Sequence, residues 1–409
     1  MVNSNWTFIN KNRTMKKWLM SMGMLLACCL AIVSCKDDSV ELDELTQQTI
    51  IMFCPWSGQM MHDIIQMNID SIESGIKKKK GLGKTRLLLF YSDNSHSARL
   101  FELTYKKNTF EQTIIEQYSD NSYTTAQGIC NIIKKAKEVA PAMNYAMIVG
   151  GHGCGWTEAK DWEDYPYRVR RRRVVADDFE TRFFGSVDDK DYAIEVEDLA
   201  EGIAQSGTKM QYILFDDCYM ANVEVAYALR NATNYLVAST SEVMAIGMPY
   251  STMWASLATA TPNYSSMVSS FKTFYSNYRT PYGTLSAIDC RKMEDLANVM
   301  KQINTRYTLD EEVLDNIQPL DGLKPTLFYD MGDYVKNLCP DPNLYNQFKT
   351  SLTNVVKHTA NTDSIYSYIY GFRVFKKLET YSGLTISDPS LHSVALKGKE
   401  RTGWWKATH

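Results

Sequence analysis

From Thr49 onward, short continuous apolar runs alternate with longer amphipathic stretches. Ile50-Ile51-Met52-Phe53, closed by Pro55, reads as a strand buried on both faces, and Arg86 to Tyr91 and Tyr145 to Val149 repeat the pattern. Leu100 to Tyr105 alternates apolar with polar residues and predicts a strand with one face in solvent. Met60 to Ile76 carries Ile64, Ile65, Met67, Ile69 and Ile72 at broadly helical spacing, and Lys77 to Lys80 reads as its solvated end. Thr124 to Val139 predicts a second amphipathic helix. A long polar stretch from Cys154 to about Tyr192 interrupts the alternation. It resumes with a helix (Glu195 to Gln205), a strand (Tyr212 to Phe215), a helix (Asn222 to Leu229) and a strand (Tyr235 to Ala238). Beyond about Pro262 the pattern predicts helices at Ser265 to Tyr278, Met293 to Tyr307 and Tyr345 to Val356. It also predicts a strand at Leu285 to Ile288 and antiparallel strands near Tyr366 to Phe375, in a packed extension or small subdomain.

Strand–helix alternation with continuously apolar strands predicts an α/β fold, with a mostly parallel sheet covered on both faces. Ligands of such sheets bind at the carboxyl ends of the strands. Two of the apolar runs end in reactive residue types, Gly150-Gly151-His152-Gly153 after one and Asp216-Asp217-Cys218 after the other. The topology can therefore bring them together.

The N-terminal segment reads as an address rather than as fold. Met15-Lys16-Lys17 precedes an apolar stretch, Trp18 to Val33, that is short for a membrane span. It ends in Ile32-Val33-Ser34-Cys35, which resembles a bacterial lipobox with Cys35 as the lipidated residue. Residues 1–35 are then a signal peptide, with Met15 a candidate true start, and residues 36–47 a polar tether. Lys36-Asp37-Asp38 resembles the acidic export tag of surface lipoproteins. The expectation is an exported chain lipid-anchored to the bacterial cell envelope, at the outer membrane or cell surface; the plainer alternative is a cleaved secretion signal in which Cys35 is incidental.

Charge and composition narrow the function classes. A net charge of -3 with 22% charged residues gives no reason to expect a nucleic-acid partner. The nine cysteines include no close CxxC pair, which argues against a zinc ribbon or a dithiol redox motif. His62-Asp63 and His96 are isolated and no HExxH spacing exists, so a metallohydrolase has no support, and His358 and His392 read as surface residues.

What remains is nucleophilic chemistry. Cys218 follows a buried strand where a helix is expected to begin, a position whose positive dipole end lowers a thiol's pKa. His152 lies among glycines that permit close backbone approach, and the Gly153 amide is a candidate oxyanion donor. Singly, a buried cysteine is usually core and a histidine in a glycine turn is often structural. The pairing of two strand ends is what favours a cysteine–histidine site.

These blocks carry a family resemblance. YAMIVGGHGCGW (145–156) and YILFDDCYMANVEVAY (212–227) resemble the His-Gly and Asp-x-Cys blocks of caspase-like peptidases, and most closely those of the clostripain-like group. YDMGDYV (329–335) and SGLTIS (382–387) are weaker echoes. The resemblance implies a caspase-like α-β-α sandwich with a C-terminal extension. Its catalytic core would span 48–262, including an activation loop at 154–192, with 263–409 completing the domain. It implies a cysteine endopeptidase cleaving after Arg or Lys, with protein and peptide substrates and no cofactor needed for chemistry. Asp216 would contribute to the S1 pocket; its plainer reading is a cap of the following helix, a role equally open to Asp217. The resemblance also implies a zymogen cut between its histidine and cysteine blocks. The candidates there are Lys160 and the arginines Arg168, Arg170, Arg171, Arg172 and Arg173, flanked by acidic clusters that would otherwise fold onto them. Relatives carry a polar, glycine-containing loop where this chain has Val243-Met244-Ala245-Ile246, an expected change in the pocket rim. Calcium is a candidate through Asp177, Asp178, Asp188 and Asp189, without a recognisable ligand spacing, and the metal question stays open. The alternative function is a catalytically silent surface lipoprotein of the same fold that binds peptides or host proteins.

Overall fold

The computed structural model describes residues 45–55, 59–94, 96–162, 193–369 and 372–409. The chain divides into a unit Met1–Leu45 and a unit Thr46–His409, and every element below belongs to the second. Its strands are β1 (Gln48–Cys54), β2 (Thr85–Asn94), β3 (Ser97–Lys106), β4 (Thr109–Tyr118), β5 (Asn144–Gly150), β6 (Met210–Asp216), β7 (Thr233–Ala238), β8 (Thr284–Asp289), β9 (Tyr329–Asp330), β10 (Val356–Asn361), β11 (Ser364–Ile369), β12 (Phe372–Lys377) and β13 (Thr385–Ile386).

Among the described residues one nine-stranded sheet dominates, in the order β10-β8-β7-β6-β5-β1-β2-β3-β4. Its five central strands, β2-β1-β5-β6-β7, run parallel. Antiparallel strands extend both edges, β3 and β4 on one side and β8 and β10 on the other. The central strands are buried on both faces because their side chains alternate between two apolar clusters. In β1, Ile51 and Phe53 join one cluster while Ile50, Met52 and Cys54 join the other.

Helices cover both faces. They are α1 (Gln59–Lys78), α2 (Ala126–Val139), α3 (Val196–Gln205), α4 (Val223–Ala228), α5 (Tyr250–Leu257), α6 (Tyr264–Asn277), α7 (Met293–Asn304), α8 (Met331–Leu338), α9 (Pro342–Val355), α10 (Ser393–Gly398) and α11 (Gly403–Thr408). Helices α1, α5 and α6 cover the face of Ile50 and Met52; the others bury their apolar residues on the opposite face. Local chemistry starts several of them. Thr125 accepts the Gly128 N–H at the start of α2, and Asp341 accepts the Asn343 and Leu344 N–H groups at the start of α9, which has proline at its first position.

Three features differ from the sequence expectation. β4 carries Phe110, Ile114 and Ile115 among Thr, Glu and Gln, and this edge strand is largely exposed, so its pattern is weak. The chain beyond Pro262 contributes β8 and β10 to the main sheet itself. His392 is not on the surface: it is fully buried and its Nδ1 accepts the Val394 N–H at 3.2 Å, capping α10. Burial pushes its imidazole down to about 4, so it is neutral at neutral pH. His358 is exposed, as expected.

Gly128 fixes how α2 meets the turn before it, since a Cβ there would stand 2.0 Å from the Ser122 carbonyl oxygen. Gly128→Ala is expected to destabilise the fold by about 2 kcal/mol, read from the midpoint of urea unfolding. A loss below about 0.5 kcal/mol would show that the turn yields.

Candidate functional site

Strands β5 and β6 are parallel neighbours, with Gly150 opposite Asp216. The segments that follow them therefore leave the sheet side by side, at the carboxyl end where an α/β sheet places its ligands. They are tied directly: the Gly151 N–H donates to Asp217 Oδ1 at 2.5 Å. Gly153 packs so closely on the cysteine turn that a Cβ would lie 2.4 Å from the Cys218 carbonyl oxygen. His152 between them is half-buried.

Cys218 is fully buried. It does not sit at a helix N-terminus, as the sequence suggested. Helix α4 begins only at Val223 and is capped by Asn222, whose side chain accepts the Val225 N–H. The Cys218 Sγ instead accepts the Val243 N–H at 3.3 Å, from the chain beyond β7. The thiol in turn lies 3.9 Å from the Val243 carbonyl oxygen, to which it donates, so the one residue both donates to the sulfur and accepts from it.

The next residue, Tyr219, has φ of +60°, a left-handed conformation that costs a bulky residue about 1–2 kcal/mol. Several contacts hold it there. Its N–H donates to Ser241 O at 3.1 Å, its hydroxyl donates to Glu242 Oε1 at 2.9 Å and lies 2.8 Å from Ser367 Oγ, and its ring stacks on Phe328 at 5.2 Å. Glu242 Oε1 also accepts the Tyr368 N–H at 2.8 Å, which links the cysteine turn to β11. Glu242 was not singled out from the sequence, where its only local signal is a carboxylate directly before the apolar run Val243 to Ile246.

Asp216 is fully buried and does not cap α4. Its carboxylate accepts the Met248 N–H at 3.1 Å and the Tyr250 hydroxyl at 2.9 Å. Asp217 does not cap α4 either, being the partner of Gly151. Of the expected apolar rim, Val243 and Met244 are buried while Ala245 and Ile246 are only partly so.

The other sites fall as follows. Lys160 is exposed on the one-turn helix Ala159–Trp162 and pairs with Glu158. Arg168, Arg170, Arg171, Arg172, Arg173 and Cys35, with Asp177, Asp178, Asp188 and Asp189, lie outside the described residues. Cys54, Cys130, Cys154, Cys290 and Cys339 are buried and form no disulfide among the described residues. Burial pushes the thiols of Cys154 and Cys290 up to about 12, so neither is a thiolate near neutral pH. Among the described residues, no cluster of three or more His, Cys, Asp or Glu side chains is placed to hold a metal, and no helix is long and apolar enough to cross a membrane.

The model of the clostripain family, peptidase C11, matches residues 61–386. The chain belongs to the clostripain family. Clostripain-family peptidases are cysteine proteases whose chemistry needs thiolate, imidazole and water rather than a cofactor. The chain is similar to the secreted C11 cysteine protease "iotapain" of Bacteroides thetaiotaomicron, at 41% identity and a TM-score of 0.79, over 89% of this chain and 99% of that one. It is also similar to a clostripain from B. thetaiotaomicron ATCC 29148 in complex with the peptide inhibitor BTN-VLTK-AOMK. That likeness is 47% identity and a TM-score of 0.53, over 56% of this chain and 99% of that one. An inactive zymogen C11 protease from Parabacteroides distasonis shares the fold at 23% identity and a TM-score of 0.73, over 89% of this chain and 99% of that one. No curated protein matches the chain.

The clostripain-family site leaves no room at Gly153. Gly153→Ala is expected to shift the Cys218 turn and cut kcat/KM for peptide hydrolysis about a hundredfold in protein that remains folded by circular dichroism. Activity within about threefold of wild type would show that the turn relaxes around the methyl group.

Proposed function

We propose that this chain is a cysteine endopeptidase that cleaves after Arg or Lys, with Cys218 as nucleophile and His152 as its acid–base partner. The register of β5 with β6 carries the reading, because it sets the His-Gly and Asp-Asp-Cys segments beside each other. In the proposed reaction the Cys218 thiolate attacks the scissile carbonyl and forms a carbon–sulfur bond. The His152 imidazolium gives its proton to the leaving amine as the carbon–nitrogen bond breaks. Water, deprotonated by the same imidazole, then hydrolyses the thioester. The Gly153 amide is the proposed donor to the oxyanion.

Asp216 is the proposed base of the specificity pocket. The Met248 N–H and the Tyr250 hydroxyl hold the carboxylate in place, and a carboxylate pairs strongly with a guanidinium or ammonium where water is excluded. The inhibitor bound by the 47%-identical clostripain has a peptide portion, VLTK, that ends in lysine, which supports a cationic residue at this position.

The chain is also proposed to be made as a precursor that cuts itself between its histidine and cysteine blocks. Of the candidates, Lys160 is the less suitable. The bond after it leads into Asp161, buried and paired with Arg401 at 2.7 Å, and then into fully buried Trp162. Cleavage there would require that packed turn to open, which favours the arginines at 168–173. Export and lipid attachment through Cys35 complete the proposal; the 41%-identical relative is described as secreted.

Fluorogenic peptides ending in Arg, Lys or a neutral residue test the enzyme directly. Cys218→Ala is expected to abolish hydrolysis, while Cys154→Ala retains most of it; the reverse would reassign the nucleophile. Asp216→Asn is expected to lower kcat/KM for Arg and Lys peptides by at least about 30-fold relative to neutral ones. An unchanged ratio would remove Asp216 from the pocket. Replacing the five arginines of 168–173 with alanine is expected to leave purified protein as one uncut chain on a denaturing gel, as does Cys218→Ala. Fully active wild type that stays uncut would overturn the precursor reading and leave the peptidase reading standing.

A further inference from the structure

A cleft open to solvent lies on one side of His152. Its walls are Phe53 and Pro55 from the end of β1, Val149 of β5, Phe215 of β6, and Val196 and Leu199 of α3. His152, Asp217 and Glu195 supply its polar groups. Cys218 is not among the lining residues. Its sulfur meets the Val243 N–H from the β7 side, whereas the cleft lies toward β1.

This arrangement separates the two halves of a substrate, on the peptidase reading of His152 and Cys218. The acyl half stays on sulfur. The amine half takes its proton from the imidazole and must leave past His152. A cleft lined by the histidine and not by the cysteine therefore faces the residue that follows the scissile bond.

The charge at the cleft narrows what that residue is. Glu195 is half-buried, its Oε1 accepts the Ala159 N–H at 3.1 Å, and it has no ion-pair partner among the described residues. The nearby Glu158 is already paired with Lys160 and Arg401. Burial, with Glu158, Glu197 and Asp198 close by, pushes the Glu195 carboxyl up to about 7, and a cation arriving there would draw it into its ionised form.

We propose that this cleft binds the first residue of the leaving peptide and selects lysine or arginine there. The aliphatic stem lies on the apolar walls and the cationic head reaches Glu195, the division of labour natural to these side chains. The proposal rests on the peptidase reading and adds a second basic position to it, after the cleaved bond rather than before it.

Internally quenched peptides with a fixed lysine before the bond, and Lys, Leu, Gly or Glu after it, test the cleft. Wild type is expected to show a KM for the Lys peptide about fivefold below that for Gly, with Glu the poorest substrate. Glu195→Gln keeps an acceptor for the Ala159 N–H and is expected to bring the Lys-to-Gly ratio of KM close to one. Cleavage that depends on Cys218 but is indifferent to the following residue would overturn this inference alone. So would a preference for Leu over Lys, or a Lys preference that survives Glu195→Gln. Absence of Cys218-dependent cleavage of every peptide would overturn both readings.

Discussion

The pairing of Gly150 with Asp216 across β5 and β6 sets the segments of His152 and Cys218 side by side. Side chains of a strand alternate between faces, so a slip of one residue would exchange them all. The two adjacent aspartates make the consequence visible. Asp216 points to the side of Met248 and Tyr250, and Asp217 to the side of Gly151, so one doublet serves two opposite faces of the sheet. The register is hard to shift because the strands that set it are buried on both sides: Met147, Ile213 and Phe215 lie in one cluster, and Ile148 and Leu214 in the other.

A strained turn hangs from that register, and the last third of the chain keeps it in place. Tyr219 holds a left-handed backbone through Glu242, Ser367 and the Phe328 ring. Phe328 is held in turn by Asp321, whose carboxylate accepts the N–H groups of Leu323, Leu327 and Phe328 at 2.7, 2.9 and 2.6 Å. Burial raises Asp321 to about 7 even so, which measures how far this loop lies from water. Residues beyond Pro262 thus do two things: they lengthen the sheet through β8 and β10, and they brace the residue next to Cys218.

Most of this fold was legible because its central strands are unbroken apolar runs and its main helices are periodic. Ile50 to Phe53, Arg86 to Tyr91 and Tyr145 to Val149 all lie inside observed strands. Elements with mixed surroundings were not legible. β4 is an exposed edge without a clear period, and α5 is only eight residues long, so that Tyr250, Met253, Trp254 and Leu257 give its helical spacing just two turns in which to show. The site divides in the same way. Residue types at strand ends could be read locally. The Val243 donor to Cys218, the partners of Asp216 and the burial of His392 are contacts between residues distant in sequence, and no local pattern encodes them.

The partners of Asp216 bear on how selectivity would arise if it forms the base of the specificity pocket. The Met248 N–H and the Tyr250 hydroxyl orient the carboxylate. Keeping a carboxylate ionised away from water is costly, and the cost grows as a bound peptide excludes the remaining water. A neutral side chain would add desolvation without supplying a partner, whereas an arginine or lysine would supply one where water no longer screens it. Discrimination would then come as much from the penalty on the wrong side chain as from attraction to the right one.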